Sequence, residues 1–177
     1  MTDSERIKRN LTEIKQSLPP DVVLVAAAKT RSADEVNTAV TAGIDAIGYN
    51  YIQEAERMRP LVEGTLPWHM IGHLQRNKVK KAVELFDMIE TIDSERLALE
   101  VNKQSVAVDK VMPVLIEINS GKESNKSGVL PEDAIGLIRR INHLSNLVIV
   151  GLMTMGPRFG DPEDARPYYR ITKRIFD

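Results

Sequence analysis

Residues 22–30 read VVLVAAAKT, and this stretch decides the fold of the chain. Its seven consecutive apolar residues, β-branched at the front, predict a strand that is buried on both faces. Lys29 follows directly at the carboxyl end of that strand. Because α/β folds place their ligands at the carboxyl ends of parallel strands, the position of this lysine favours chemistry over packing.

The chemistry that a lysine offers at such a position is nucleophilic. An amine held against an apolar pocket loses its proton more easily than one in water. The neutral amine can then attack an aldehyde and form a Schiff base. Judged from this one feature, the commoner case is a lysine without a catalytic role. Its side chain points to solvent or pairs with a carboxylate.

The bulk composition narrows the class of protein. The 177 residues suit one domain with a sizeable core. A formal net charge of −1 gives no attraction to nucleic acid or to an anionic membrane. Cysteine is absent, which excludes disulfides and thiolate ligands and leads us to expect a reducing cytoplasm. No apolar run approaches the ~20 residues of a membrane-spanning helix, and the polar start is unlike a signal peptide.

Outward from the first strand, helical and strand patterns alternate. An amphipathic helix precedes the strand and is ended by Pro19-Pro20. Ser32 with Glu35 three residues later forms a capping box that begins the next helix. Helices separate the remaining predicted strands, which cover residues 46–50, 68–72, 88–92, 113–119 and 147–153, and a last helix covers 162–177.

This alternation predicts a parallel sheet. A doubly wound open sheet and a (β/α)₈ TIM barrel both fit it, but the glycine fingerprint of dinucleotide-binding sheets is missing after the first strand. A barrel needs eight strand units and about 200–250 residues, whereas six units are predicted here. We therefore expect residues 1–177 to form a single barrel domain that lacks its last two βα units.

In a barrel, function lies just after each strand. His69 and His73 flank one strand end, where four residues span about 13 Å, and no third ligand is evident, so we predict no metal site. Asp93 or Ser94 is expected to cap the helix that follows, and this role explains Asp93, the only acid among the strand-end residues. The strand ends form a ring of small polar groups around one lysine: Lys29-Thr30, Asn50-Tyr51, Gly72-His73, Asp93-Ser94, Asn119-Ser120 and Met153-Thr154.

Five motifs stand in order along the chain: VAAAKT (25–30), GYNYIQE (48–54), WHMIGHLQRNK (68–78), NSGKESNKSG (119–128) and GLMTM (151–155). Together they resemble the pyridoxal phosphate homeostasis family, from the first helix to the last. The resemblance implies a (β/α)₈ TIM barrel of the alanine racemase N-terminal type, truncated here after about six βα units. Two residues depart from the family pattern: Tyr49 stands where Glu is usual, and Ala28 where Ser is frequent.

The resemblance also implies a cofactor and the residues that hold it. Lys29 would carry pyridoxal 5′-phosphate (PLP) covalently, as an internal aldimine. Lys126 matches the family's loop lysine. His73, at the end of the third predicted strand, is also expected to bind the cofactor. The other matched residues are Asn50, beside the cofactor, and Ile71, Asn119 and Met153, which would wall the pocket.

The implied function is that of a non-catalytic protein that stores, buffers or delivers PLP in the cytoplasm. The related racemases use a tyrosine base from a second β-domain, and nothing in this sequence corresponds to it. The expected partners are PLP and PLP-dependent apo-enzymes, with no nucleic acid and no membrane, and we expect a monomer. The alternatives are an amino-acid racemase or decarboxylase of the same fold, and a phosphate-sugar enzyme that uses Lys29 as an aldolase-type amine.

The family segments that hold the phosphate group do not occur in this sequence. A barrel without two strands would expose two edges and open its core. We therefore expect this chain to fold poorly and to bind PLP weakly. Thermal unfolding and PLP titration check this expectation, and a cooperative melt together with micromolar affinity would contradict it.

Overall fold

The protein, seen here as a computed structural model, is described over residues 2–157 and 160–177. It divides into two compact units, Met1–Ile71 and Gly72–Asp177. Each unit contains three parallel strands with helices between them. None of the described helices has both the length and the apolar character needed to cross a membrane.

In the first unit, β2 (Ala46–Tyr49) lies between β1 (Val25–Ala27) and β3 (Trp68–Met70), and both pairs are parallel. The register sets Ala27 opposite Gly48, and Tyr49 opposite Met70. The elements are α1 (Asp3–Ser17), β1 (Val25–Ala27), α2 (Ala33–Thr41), β2 (Ala46–Tyr49), α3 (Ile52–Met58), a 3₁₀ turn (Arg59–Leu61) and β3 (Trp68–Met70).

The capping box at the start of α2 is confirmed. Ser32 Oγ accepts a hydrogen bond from the Glu35 amide at 3.2 Å, and Glu35 Oε2 accepts one from the Ser32 amide at 2.8 Å. Two backbone donors that the helix cannot satisfy internally are therefore paired. This fixes the point at which the chain turns from the first strand into the helix.

The first strand is shorter and more exposed than its apolar run predicted. β1 has three residues, and Val22 and Val23 are 44% and 62% exposed. The Val22 amide donates to the Pro19 carbonyl at 3.1 Å, and the Leu24 amide donates to Asp45 Oδ2 at 2.7 Å. Because these amides are used outside the strand ladder, the expectation of a strand buried on both faces is wrong.

In the second unit, β5 (Met112–Ile118) lies between β4 (Met88–Ile92) and β6 (Leu147–Thr154), again with parallel pairing. The β5 residues Met112, Val114, Ile116 and Ile118 are buried on one face, while the intervening residues are half-buried. The elements are a 3₁₀ turn (Arg76–Lys78), α4 (Val79–Leu85), β4 (Met88–Ile92), α5 (Glu95–Ala107), β5 (Met112–Ile118), a 3₁₀ turn (Pro131–Asp133), α6 (Ala134–Ile141), β6 (Leu147–Thr154), a 3₁₀ turn (Pro162–Ala165) and α7 (Arg166–Phe176).

Tyr49, at the end of β2, is fully buried and packs against Trp68. The ring centroids are 5.2 Å apart, the planes are 16° apart, and the Arg59 guanidinium lies 4.8 Å from the Trp68 centroid. The Tyr49 hydroxyl is buried without a hydrogen-bond partner in the described part of the chain. Burial first, and then the charge of Glu54, raise the pKa of Tyr49 to about 12.

The buried hydroxyl of Tyr49 leads to a prediction about stability. Tyr49→Phe keeps the aromatic stack and removes a buried group whose desolvation is uncompensated, so the free energy of unfolding should rise by about 1 kcal/mol. Urea unfolding of both forms measures the change, and Tyr51→Phe, at an exposed ring, is the control. A loss of stability in Tyr49→Phe would show that the hydroxyl does have a partner in solution.

Candidate functional site

Lys29 lies directly beyond β1, and its side chain is exposed. The preceding amide, that of Ala28, donates to the Gly48 carbonyl at 2.9 Å and extends the pairing of β1 with β2. The Arg31 amide donates back to the Ala28 carbonyl at 3.1 Å, which closes a tight turn with Lys29 inside it. The lysine therefore stands at a strand end, as its place in the sequence predicts.

The neighbouring strand ends carry very little side-chain bulk. Ala27 pairs with Gly48, so this level of the sheet presents one methyl group and one hydrogen. A Cβ built on Gly48 would lie 2.7 Å from Ile71 Cδ1, which places the Ile71 side chain against the glycine. Asn50 follows β2 and is half-buried. Strand alternation puts Gly48, Asn50 and Ile71 on one face and Tyr49 on the other.

In the second unit, Asn119 shapes the loop that follows β5. The side chain is buried, and its Nδ2 donates to the Glu123 carbonyl at 2.9 Å and to the Lys126 carbonyl at 3.5 Å. Its Oδ1 accepts from the Glu123 amide at 3.1 Å. The amide that we predicted to wall a pocket thus holds residues 119–126 in a fixed path.

Lys126 is held by two contacts of its amine. Its Nζ lies 2.6 Å from Glu123 Oε1 and donates to the Gly156 carbonyl at 3.2 Å. The side chain is 28% exposed. These two contacts anchor the Lys126 amine between the loop and the residues that follow β6.

His73 meets a serine and an acid through the same ring nitrogen. Ser127 Oγ lies 3.0 Å from His73 Nδ1, and Asp93 Oδ2 lies 3.6 Å from it. A catalytic Ser-His-Asp triad places the serine and the acid on opposite ring nitrogens, so this cluster lacks triad geometry. Of the two residues predicted to cap α5, Ser94 occupies the N-cap position, without a side-chain cap hydrogen bond, and Asp93 does not.

Met153 lies near the end of β6, where its register partner on β5 is Glu117. It is half-buried and lines a cavity of about 500 Å³ with Leu115 and with Phe176 of α7. The cavity wall is mostly apolar, which suits a thioether. Of the residues predicted in the second unit, His73 contacts the loop residue Ser127, and Asn119 and Lys126 belong to the same loop.

Glu117 is a titratable group that the sequence did not single out. Its Oε2 is buried and has no hydrogen-bond donor within the described residues. Burial is the main cause, and the nearby charge of Asp93 the second, of a pKa raised to about 7. Because the residue sits in an apolar strand run, only its tertiary burial shows that it holds a proton near neutral pH.

This shift makes stability depend on pH. The unfolded chain releases the Glu117 proton above about pH 4.5, whereas the folded chain keeps it until about pH 7, so stability falls between these values. Glu117→Gln removes this fall in stability, because glutamine does not titrate. The variant should unfold with the same free energy as the parent at pH 4 and be more stable than the parent at pH 8. Urea unfolding across this range tests it, with Glu84→Gln at an exposed carboxylate as control. Equal pH profiles for parent and Glu117→Gln would contradict the shift.

Within residues 2–157 and 160–177, no group of three or more His, Asp or Glu side chains is placed to hold a metal ion. Schiff-base chemistry needs none, since the amine alone is the nucleophile. The groups that the two units offer are thus an exposed amine at one strand end, an adjoining apolar wall, and an ordered polar loop.

Comparison with known proteins decides the family. The alanine racemase N-terminal domain profile matches residues 2–176. The pyridoxal phosphate homeostasis protein of Aquifex aeolicus is 34% identical over all of this chain and 81% of its own length. That of Pasteurella multocida is 35% identical over 84% of this chain and 70% of its own. This chain belongs to the pyridoxal phosphate homeostasis family.

Solved structures agree with the predicted fold class. PipY of Synechococcus elongatus, solved with PLP bound, superposes with a TM-score of 0.87 at 27% identity, over 96% of this chain and 80% of that one. An alanine racemase of Clostridium difficile superposes with a TM-score of 0.80 at 17% identity, over 98% of this chain and 47% of that one. At this identity the likeness shows the fold alone. The prediction of an α/β fold of the alanine racemase N-terminal type is confirmed.

Proposed function

We propose that this protein binds PLP as a Schiff base on Lys29, without catalysing a reaction on it, and serves intracellular PLP homeostasis. The observation that carries the proposal is the exposed amine of Lys29 at the end of β1, in a chain of this family. When bound, PLP supplies an aldehyde that condenses with the amine and releases one water. PLP-dependent apo-enzymes are the recipients that we expect.

The residues of the first unit fit such a group. Ala27 adds only a methyl group at its strand end, and Ile71, which packs against Gly48, adds an apolar surface against which a flat ring can pack. Asn50 adds an amide with both donor and acceptor atoms beside the strand end. The role of these residues is to orient a flat polar ligand and to keep bulk away from the amine.

The tyrosine that follows Gly48 supports a binding role over a catalytic one. Removing a proton from an amino acid requires a base whose pKa lies near the working pH. The hydroxyl of Tyr49 has a pKa of about 12 and is buried, so it is no such base.

The test is borohydride reduction after incubation with PLP, followed by peptide mass spectrometry. We expect the pyridoxyl adduct mainly on Lys29, and its loss in Lys29→Arg. Lys80→Arg, at an exposed lysine of α4, should trap as the parent does. Adducts scattered over many lysines, or an unchanged yield in Lys29→Arg, would contradict the proposal.

A second readout separates binding from catalysis. The PLP-loaded protein is incubated with L-alanine in deuterated water, and α-proton exchange is followed by NMR. We expect no exchange above that of free PLP. Exchange that is lost in Lys29→Arg would favour the racemase-like alternative.

A further inference from the structure

The turn that contains Lys29 is strained at the next residue. Thr30 has a φ of +62°, in the left-handed region that favours glycine. For a β-branched side chain this conformation is a true outlier, because the Cβ substituents crowd the backbone. Such a conformation persists only where surrounding contacts over-determine it.

The contact that holds this conformation comes from α3. Glu54 Oε1 accepts a hydrogen bond from the Thr30 amide at 2.5 Å, across 24 residues of sequence. Glu54 lies in the first turn of α3, directly after β2, and is half-buried. A carboxylate that accepts from a backbone amide makes one of the stronger hydrogen bonds in proteins. The Arg31-to-Ala28 bond alone would close the turn but leave the Thr30 amide free to rotate away.

We propose that Glu54 is a positioning residue for Lys29: its carboxylate holds the Thr30 amide in the left-handed turn and so fixes the direction of the lysine side chain. The inference rests on the PLP-binding role of Lys29 proposed above. Without Glu54 the turn relaxes toward conformations that suit threonine, and the amine is presented correctly only part of the time. The apparent affinity for PLP then falls in proportion to the fraction of molecules that present the amine correctly.

The experiment compares four variants in PLP titrations with borohydride trapping at Lys29. Glu54→Leu removes the acceptor and should raise the half-saturating PLP concentration about tenfold. Glu54→Gln keeps an acceptor oxygen and should stay near the parent. Gln53→Leu, an exposed neighbour on α3, is the matched control. The double variant Glu54→Leu/Thr30→Gly should recover much of the loss, because glycine adopts positive φ without strain.

Induced circular dichroism of the bound PLP band separates positioning from a merely structural role. The signal per bound PLP reports a fixed orientation, and we expect it to fall in Glu54→Leu and to return in the double variant. If Glu54→Leu is unfolded, the double variant and Glu54→Gln carry the test. Parent-like affinity and dichroism in folded Glu54→Leu, or no recovery with Thr30→Gly, would overturn the inference.

Failure of the inference is distinct from failure of the proposed function. A parent protein without a Lys29 adduct overturns the PLP-binding role and this inference with it. A parent protein with the Lys29 adduct, and variants at Glu54 that bind equally well, overturns the positioning role alone.

Discussion

The hydrogen bond from the Ala28 amide to the Gly48 carbonyl is the constraint on which the placement of Lys29 depends. It carries the β1–β2 ladder one step beyond β1, to the residue before Lys29. The lysine is therefore the first residue released from the ladder, and its backbone still has a defined direction. Ala27 and Gly48 oppose each other in this ladder, so the paired side chains two residues before Lys29 are one methyl group and one hydrogen.

The second unit orders its polar groups by a different device. Here one buried side chain, Asn119, uses its donor and acceptor atoms on the backbone of its own loop. Glu123 then pairs with Lys126, whose amine also reaches the Gly156 carbonyl. A buried amide that is satisfied in this way stabilises one loop path over others. The loop cation is thus positioned by side-chain hydrogen bonds, whereas Lys29 is positioned by a strand ladder and a turn.

Much of the fold could be predicted because the periodic spacing of apolar residues and the helix caps are local features of the sequence. The strands from β2 to β6 lie within two residues of their predicted bounds, and the Ser32 cap was found. The apolar run before Lys29 gave too long a strand, because a strand also needs a neighbouring strand to pair with. The Leu24 amide donates to the Asp45 side chain instead. The protonation of Glu117 and the strain at Thr30 depend on contacts distant in sequence, and neither has a local signature.

The face on which Tyr49 lies explains why its departure from the family pattern need not alter the residues at the strand ends. Successive residues of a strand point to opposite faces, so position 49 faces away from Gly48 and Asn50. Tyr49 is buried against Trp68 on that opposite face. Tyrosine fills this layer with an aromatic ring, and within the described residues its buried hydroxyl has no hydrogen-bond partner. The substitution therefore concerns packing behind β2, and the acid that reaches the Lys29 turn is Glu54, on the helix that follows.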